Sequence, residues 1–209
     1  MKPVPLPDAA ATGALDEETA RAEIYGLLAQ LYYAPVSAEL GARLRVAVTE
    51  SPAAGGHLEE PWRVLVGVAR DMDDQAVKDE YVALFGGMTR PDVYLYGSHY
   101  LSGFLNEKPL AKLRGTLDTL GLARGESVSE TEDHFACLCE VMRYLIAGDD
   151  VAVANLTQQR EFFASHIQPW VPQMMDAMVA HPQARFYVAL AEFTRAFVAV
   201  EVQAFDMLA

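Results

Sequence analysis

The stretch SETEDHFACLCEVMRYL, residues 129–145, joins an acidic segment to an amphipathic helix and decides the fold. Four apolar side chains recur there at spacings of three and four residues, so they share one face of a helix. Those side chains are Phe135, Leu138, Met142 and Leu145. Ser129 followed by Glu132 matches the capping-box pattern, which predicts that the helix begins at about Glu130. On this interpretation Asp133 and His134 lie in its first turn, at an acidic helix end.

Helical periodicity extends over almost the whole chain, and no alternating strand pattern of any length occurs. The sequence therefore predicts an all-α, single-domain helical bundle of about nine to eleven helices. Helices are predicted at 17–33, 37–50, from about 61, 73–85, 98–101, 110–120, 130–147, 151–167, 170–180 and 183–206. The last helix is expected to bury one line of side chains: Phe186, Leu190, Phe193, Phe197, Val200, Ala204 and Met207.

The predicted domain organisation is simple. Residues 1–16 are expected to form a flexible N-terminal tail, and residues 17–209 an all-helical domain. A connection rich in glycine and aromatic residues, GGMTRPDVYLYGSHYLSGF at 86–104, links the N- and C-terminal halves. A hinge within 86–130 would allow a domain-swapped dimer, although a monomer is the default expectation.

The charge balance excludes some partners. With 16 Lys plus Arg against 29 Asp plus Glu, the net charge is −13, which argues against nucleic acid because phosphate binding needs basic patches. An acidic protein suits a cationic partner segment, although acidity often serves solubility alone. No apolar run is long enough to span a bilayer, and the first twenty residues do not resemble an export signal. A cytoplasmic protein without stable membrane insertion is expected.

Enzyme motifs are missing from the sequence. It has no Glu-x-x-His pair for a di-iron site, no zinc-protease motif, no phosphate-binding loop and no nucleophile elbow. Cys137 and Cys139 point about 200° apart on a helix and lack further ligands, so they are expected to be reduced, structural thiols. We predict that the protein is not an enzyme and needs neither a cofactor nor a metal.

Five segments in the same order and spacing resemble the TorD/DmsD/NarJ-like family of cytoplasmic molybdoenzyme maturation chaperones, over about residues 20–205. They are EYVALFGG at 80–87, YGSHY at 96–100, ETEDHFACLCEVM at 130–142, HIQPWVPQM at 166–174 and ARFYVALAEFTRAFVAVE at 184–201.

The resemblance implies an all-helical chaperone for a dimethyl sulfoxide reductase-type enzyme. Its partner would be the apo-molybdoenzyme catalytic subunit, bound through its twin-arginine signal peptide or another N-terminal segment. The chaperone would hold that subunit for cofactor insertion before export or assembly. A generic helical adaptor with a different protein partner is the alternative.

The same resemblance implies a set of peptide-binding residues. Glu130 and Asp133 would attract the arginines of the leader, and His134 would orient the loop or donate to a peptide carbonyl. The aromatic–x–Ser–x–Tyr unit contributes Tyr96, Ser98 and Tyr100, and the segment before it contributes Phe85. Tyr96, Tyr100 and Phe85 would supply apolar contact. The competing interpretation is that Tyr81, Phe85 and Tyr100 are core residues, since aromatic residues at helical spacing usually are.

The sequence departs from the family pattern around this site. Relatives often have Pro in the turn where this chain has Thr131, and Pro and Glu where it has Leu95 and Gly97. The change at Gly97 removes one candidate carboxylate. These departures leave open which reductase is the client and whether that client is exported.

Overall fold

The computed structural model describes residues 9–49, 56–86 and 90–207, with side chains described from residue 17 onward. Within these ranges the chain forms ten α-helices and no strands, as predicted. They are α1 (Ala9–Tyr33), α2 (Ala38–Arg45), α3 (Glu59–Asp71), α4 (Asp74–Phe85), α5 (Gly97–Ser102), α6 (Lys108–Thr119), α7 (Phe135–Ala147), α8 (Leu156–His166), α9 (Val171–Val179) and α10 (Phe186–Asp206). None of these helices is long and apolar enough to cross a membrane.

The helix ends differ from the predicted ones in several places. Helix α1 begins at Ala9 rather than at 17, because the alanine-rich segment before residue 17 favours helix. The predicted tail thus includes helical residues, and its first eight lie outside the described residues. Helix α2 ends at Arg45, before a segment that contains the β-branched residues Val46, Val48 and Thr49. Helix α8 begins only at Leu156, where Asn155 caps it.

Helix α7 is the largest correction, because it begins at Phe135 rather than near Glu130. Residues 130–134 form turns and one isolated bridge. Asp133 and His134 therefore precede the helix instead of lying within it. The predicted apolar face is confirmed, since all four of its side chains are buried.

The core is built around the long helices α1 and α10. Helix α1 packs along α7, while α10 contacts α3, α4 and α9. Tyr32 of α1 lies between Phe135 of α7 and Tyr187 of α10, with ring centroids 5.1 and 6.5 Å away. This contact joins the N-terminal helices to the helices that follow the connection.

The buried face of α10 does not end as predicted. Met207 lies after the helix and is exposed, whereas Glu201 and Phe205 are buried. Glu201 continues the four-residue spacing from Phe197, but a glutamate is not expected in an apolar core. Arg21 of α1 neutralises it with two hydrogen bonds, of 2.7 and 2.9 Å.

Helix α4 is fixed to the start of α10 by a second buried carboxylate. Glu80 accepts hydrogen bonds from the backbone N–H groups of Arg185, Phe186 and Tyr187, at 2.8, 3.1 and 2.7 Å. A carboxylate at a helix N-terminus satisfies donors that have no partner within the helix. Glu80 thereby connects the two halves of the chain through hydrogen bonds to backbone N–H groups.

Candidate functional site

An isolated antiparallel bridge between Tyr96 and His134 brings the connection against the start of α7. The N–H of Phe135 donates to the Leu95 carbonyl at 2.8 Å, and the N–H of Gly97 donates to the Asp133 carbonyl at 3.0 Å. Two segments that are distant in sequence are therefore fixed side by side. The bridge brings Tyr96 and Ser98 to Glu130, Asp133 and His134, five of the seven predicted site residues.

Asp133 is buried and holds this junction together. One carboxylate oxygen accepts from the backbone N–H of Ser98 at 2.9 Å, and the other accepts from the Thr131 hydroxyl at 2.7 Å. The side chain is 4% exposed. Asp133 thus secures the start of α5 and the turn before α7, and it does not present its charge to solvent.

His134 is the N-cap of α7. Its Nδ1 accepts from the backbone N–H of Ala136 at 3.2 Å, and the residue is only 3% exposed. Burial lowers the pKa of His134 to about 4, despite the opposing effect of Glu130 and Asp133. The imidazole is therefore neutral at pH 7, and its Nδ1 caps the N-terminal end of α7.

Ser129 and Glu132 do not form the predicted capping box, because the helix begins several residues later. Glu132 instead pairs with Arg114 at 2.8 Å and with Arg124 at 3.9 Å. These arginines lower the pKa of Glu132, although burial opposes them. The capping-box pattern does not start the helix, because Glu132 forms ion pairs with two arginines and the backbone at His134 forms a bridge with Tyr96.

Glu130 is the half-buried carboxylate of the site. The Tyr96 hydroxyl donates to one of its oxygens, and Ser129 Oγ lies 3.3 Å from the other. Burial and this hydrogen bond raise the pKa of Tyr96, so the phenol remains a donor. Among the ion pairs of the described residues, none involves Glu130. It is a carboxylate held by hydroxyl groups rather than by a cation.

Three tyrosines surround Glu130, and we call Tyr33, Tyr81, Tyr96 and Glu130 together the tyrosine notch. The Tyr81 hydroxyl donates to the Tyr33 carbonyl at 3.1 Å, and the Tyr33 hydroxyl lies 3.5 Å from Ser129 Oγ. Burial, followed by the charge of Glu130, raises the pKa of Tyr81 to about 12. All four residues of the notch are partly exposed. The notch offers one negative charge bordered by aromatic rings.

Phe85 and Tyr100 lie at different distances from this centre. Phe85 contacts the notch through Tyr81, with ring centroids 5.0 Å apart, and is half-buried. Tyr100 instead stacks on Trp170 at 5.6 Å, while its hydroxyl donates to the Tyr94 carbonyl at 2.9 Å. Both have the packing contacts expected of core residues, but neither is fully buried.

Ser98 is completely buried and has no exposed surface for a ligand. Its Oγ accepts from the backbone N–H of Asn106 at 3.3 Å, and its carbonyl accepts from the Ser102 hydroxyl at 2.7 Å. Ser98 therefore organises α5 and the turn that follows it. Together with Asp133 and His134 it forms the frame behind the notch.

Two features of the site were missed by sequence reasoning. Tyr33 ends α1 just before Pro35, and nothing local marks it as a site residue. Thr131, counted as a departure from the family pattern, hydrogen-bonds Asp133. The departure at Gly97 also has a packing reason: a Cβ atom there would lie 3.0 Å from Trp170 Nε1, so a glutamate would displace the indole.

The two cysteines are free, as predicted. Cys139 is buried, and burial raises its pKa well above the usual range. Cys137 is half-buried, and burial raises its pKa to about 11. In the described ranges, no group of three or more His, Cys, Asp or Glu side chains is arranged to hold a metal ion.

Within the described residues the chain is an all-helical bundle with a carboxylate notch beside its central connection, which is the fold class expected from the sequence. A family model described as nitrate reductase delta subunit matches residues 52–176, which is more than half of the chain. The chain therefore belongs to the nitrate reductase delta subunit family, which includes the TorD- and NarJ-like proteins.

Named relatives agree with this family. The chain is 26% identical over 204 residues to the chaperone protein TorD of two Vibrio cholerae serotype O1 strains, classical Ogawa 395 and El Tor Inaba N16961. Each match covers 90% of this chain and 93% of the relative. The family predicted from the sequence is confirmed, and both relatives are named chaperone proteins.

Proposed function

We propose that this protein is a cytoplasmic maturation chaperone for a dimethyl sulfoxide reductase-type molybdoenzyme. It binds the twin-arginine leader, or a related basic N-terminal segment, of the apo-catalytic subunit and holds that subunit until its cofactor is inserted. Membership in the nitrate reductase delta subunit family supports the chaperone class. The net charge of −13 supports a basic partner segment.

The single observation that carries the proposal is the state of Glu130. Its oxygens accept from the hydroxyl of Tyr96 and lie beside that of Ser129, and no ion pair among the described residues neutralises it. A partly buried carboxylate without a cation is ready to accept one. A guanidinium is the best match, because it donates two parallel hydrogen bonds to a carboxylate.

The tyrosines of the notch add to this preference. An arginine that reaches Glu130 passes the rings of Tyr33, Tyr81 and Tyr96, which favour a flat, weakly hydrated cation over their faces. Partial burial also strengthens the ion pair relative to an exposed one. Lysine offers neither the planar shape nor the paired donors.

Asp133 and His134 have a positioning role in this proposal. Their side chains are turned inward, where they fix α5 and the start of α7. Replacing them would shift Tyr96 and Glu130 relative to each other. Both residues would thus affect leader binding without touching the leader.

Calorimetric titration with a synthetic twin-arginine leader tests the proposal. We expect Glu130→Gln to weaken binding about tenfold, which equals the loss of one charged hydrogen-bonded contact of about 1.4 kcal/mol. Glu126→Gln is the matched control, since it removes the same charge from an exposed residue of the same segment. Replacing both leader arginines by lysines should also weaken binding to the wild-type protein.

The alternative, a helical adaptor with another partner, gives a different result. Such a protein would bind none of the twin-arginine leaders encoded by its host. Equal losses for Glu130→Gln and Glu126→Gln would contradict the notch as the site, because general acidity would then explain the attraction.

A further inference from the structure

Arg124 lies directly beside the tyrosine notch and contacts the backbone of Glu130. Its Nη1 donates to the Val128 carbonyl at 2.8 Å and to the Glu130 carbonyl at 3.2 Å. The carbonyl and the carboxylate of Glu130 belong to one residue, so rotations of the flexible Arg124 side chain are enough to bring its guanidinium to the carboxylate. The fold thus holds an arginine of its own next to the charge that we propose for the arginines of the leader.

Glu132 competes with Glu130 for this arginine. The Glu132 side chain is 15% exposed, and Arg114 of α6 donates to its Oε2 at 2.8 and 3.0 Å. Its Oε1 lies 3.9 Å from Nε of Arg124. Although burial opposes it, the hydrogen bond from Arg114 and the charges of both arginines lower the pKa of Glu132. Glu132 is therefore ionised at pH 7 and attracts Arg124 away from the notch.

We infer that Glu132 keeps the tyrosine notch free by retaining Arg124, which otherwise occupies the Glu130 carboxylate. The inference rests on the proposed function and adds a positioning residue, because Glu132 affects the leader only through Arg124. A guanidinium of the chain and a guanidinium of the leader compete for one carboxylate. The apparent affinity for the leader therefore falls with the fraction of molecules in which Arg124 covers Glu130.

Glu132→Gln removes the charge that retains Arg124 but keeps the size of the side chain. In calorimetric titration we expect it to weaken binding of the synthetic twin-arginine leader about fivefold, the effect of a partly exposed ion pair within the chain. Arg124→Gln alone should bind within about twofold of the wild type, because water can replace its exposed hydrogen bonds to backbone carbonyls.

Two double variants separate the retention of Arg124 from the loss of a negative charge. Each combines Glu132→Gln with the loss of one arginine, so one negative and one positive charge are removed and the net charge stays at −13. Adding Arg124→Gln should restore the affinity to within about twofold of the wild type, because the competing guanidinium is gone. Adding Arg114→Gln should leave the weakened affinity unchanged, because Arg124 is still present.

A measurement without the leader tests the contact itself. Denaturant unfolding of Arg124→Gln, of Glu130→Gln and of the variant that carries both gives the coupling free energy between the two side chains. We expect a larger favourable coupling in the Glu132→Gln background than in the protein that retains Glu132.

The results separate this inference from the proposed function. The inference is overturned if the two double variants bind the leader equally, if Arg124→Gln alone weakens binding as much as Glu132→Gln, or if the coupling does not increase. The proposed function stands in each of these cases as long as Glu130→Gln weakens binding. If the leader does not bind at all, both are overturned.

Discussion

Glu201 and Glu130 are two glutamates with opposite environments. Glu201 is buried in α10 and receives a bidentate contact from Arg21, with a further hydrogen bond of 2.9 Å from the Tyr25 hydroxyl. Glu130 is half-buried at the surface, and the described partners of its carboxylate are the hydroxyl groups of Tyr96 and Ser129. Arg124 donates to its backbone carbonyl, at 3.2 Å. Among the described residues, one carboxylate is paired with a cation and the other is in no ion pair.

The difference separates a structural charge from the charge that we propose as a binding site. A buried carboxylate must be neutralised within the fold, because leaving it unpaired costs several kcal/mol. At a half-buried position, water and neutral donors are enough to stabilise the ionised carboxylate. A cation from a partner can therefore still add a favourable interaction with it. The environment of the charge, rather than the residue type, is what supports Glu130 as the proposed site.

The largest expected effect is on the buried pair. We expect Glu201→Ala to lower the free energy of unfolding by about 3–5 kcal/mol, because it leaves the Arg21 guanidinium without its counter-charge. Denaturant unfolding measures this loss. Glu192→Ala, which removes an exposed glutamate that pairs with Arg195 on the same helix, should cost about 0.5 kcal/mol or less. Equal losses for Glu201→Ala and Glu130→Ala would remove the distinction between the two carboxylates.

A second prediction concerns pH and the frame behind Glu130. The folded pKa of His134 is about 4, below its unfolded value of about 6.5, so the unfolded chain takes up a proton first as pH falls. His134 therefore costs no stability above pH 6.5, and the penalty grows between pH 6.5 and 4. It amounts to about 2 kcal/mol at pH 5.

His134→Asn tests this penalty, because asparagine retains an acceptor for the cap but does not titrate. The loss of unfolding free energy between pH 7 and pH 5 should be about 2 kcal/mol smaller than in the wild type. The control is His57→Asn, which changes an exposed histidine. An unchanged pH dependence in the His134 variant would mean that the imidazole is not buried in neutral form.

The smallest effect concerns Glu80, which lies between the two cases. No ion pair in the described part of the chain involves it, but three backbone N–H groups donate to its oxygens. We expect Glu80→Gln to cost about 1–2 kcal/mol in unfolding free energy and to leave leader affinity unchanged, because an amide offers only one accepting oxygen. Asp79→Asn, at the exposed neighbouring position, is the control. A loss of leader affinity in Glu80→Gln would show that helix capping and the notch are coupled.

Helical periodicity was sufficient to predict the fold class. It identified the apolar face of α7, whose four predicted side chains are all buried. Where prediction failed, long-range contacts were responsible. The capping-box pattern at Ser129 was overridden by a bridge to residue 96, and Met207 was assigned to a face that ends with Glu201 and Phe205.

At the candidate site, too, the sequence predicted which residues belong together, and long-range contacts decided where their side chains lie. The sequence grouped seven residues by family resemblance, but their side chains have different positions in the structure. Asp133, His134 and Ser98 are buried, whereas Glu130 and Tyr96 reach the surface. Tyr33 joins them from α1, nearly one hundred residues earlier, without any local sequence signal.

By itself, the sequence determined the helices, the acidic charge and the family, because periodicity, composition and motif spacing are properties of neighbouring residues. The tertiary structure alone decided which carboxylate is neutralised and which remains available. The pairing of Glu201 with Arg21, and the contact of Glu130 with Tyr96 in place of an ion pair among the described residues, depend on segments brought together from distant parts of the chain. Burial sets the energetic cost of each charge there.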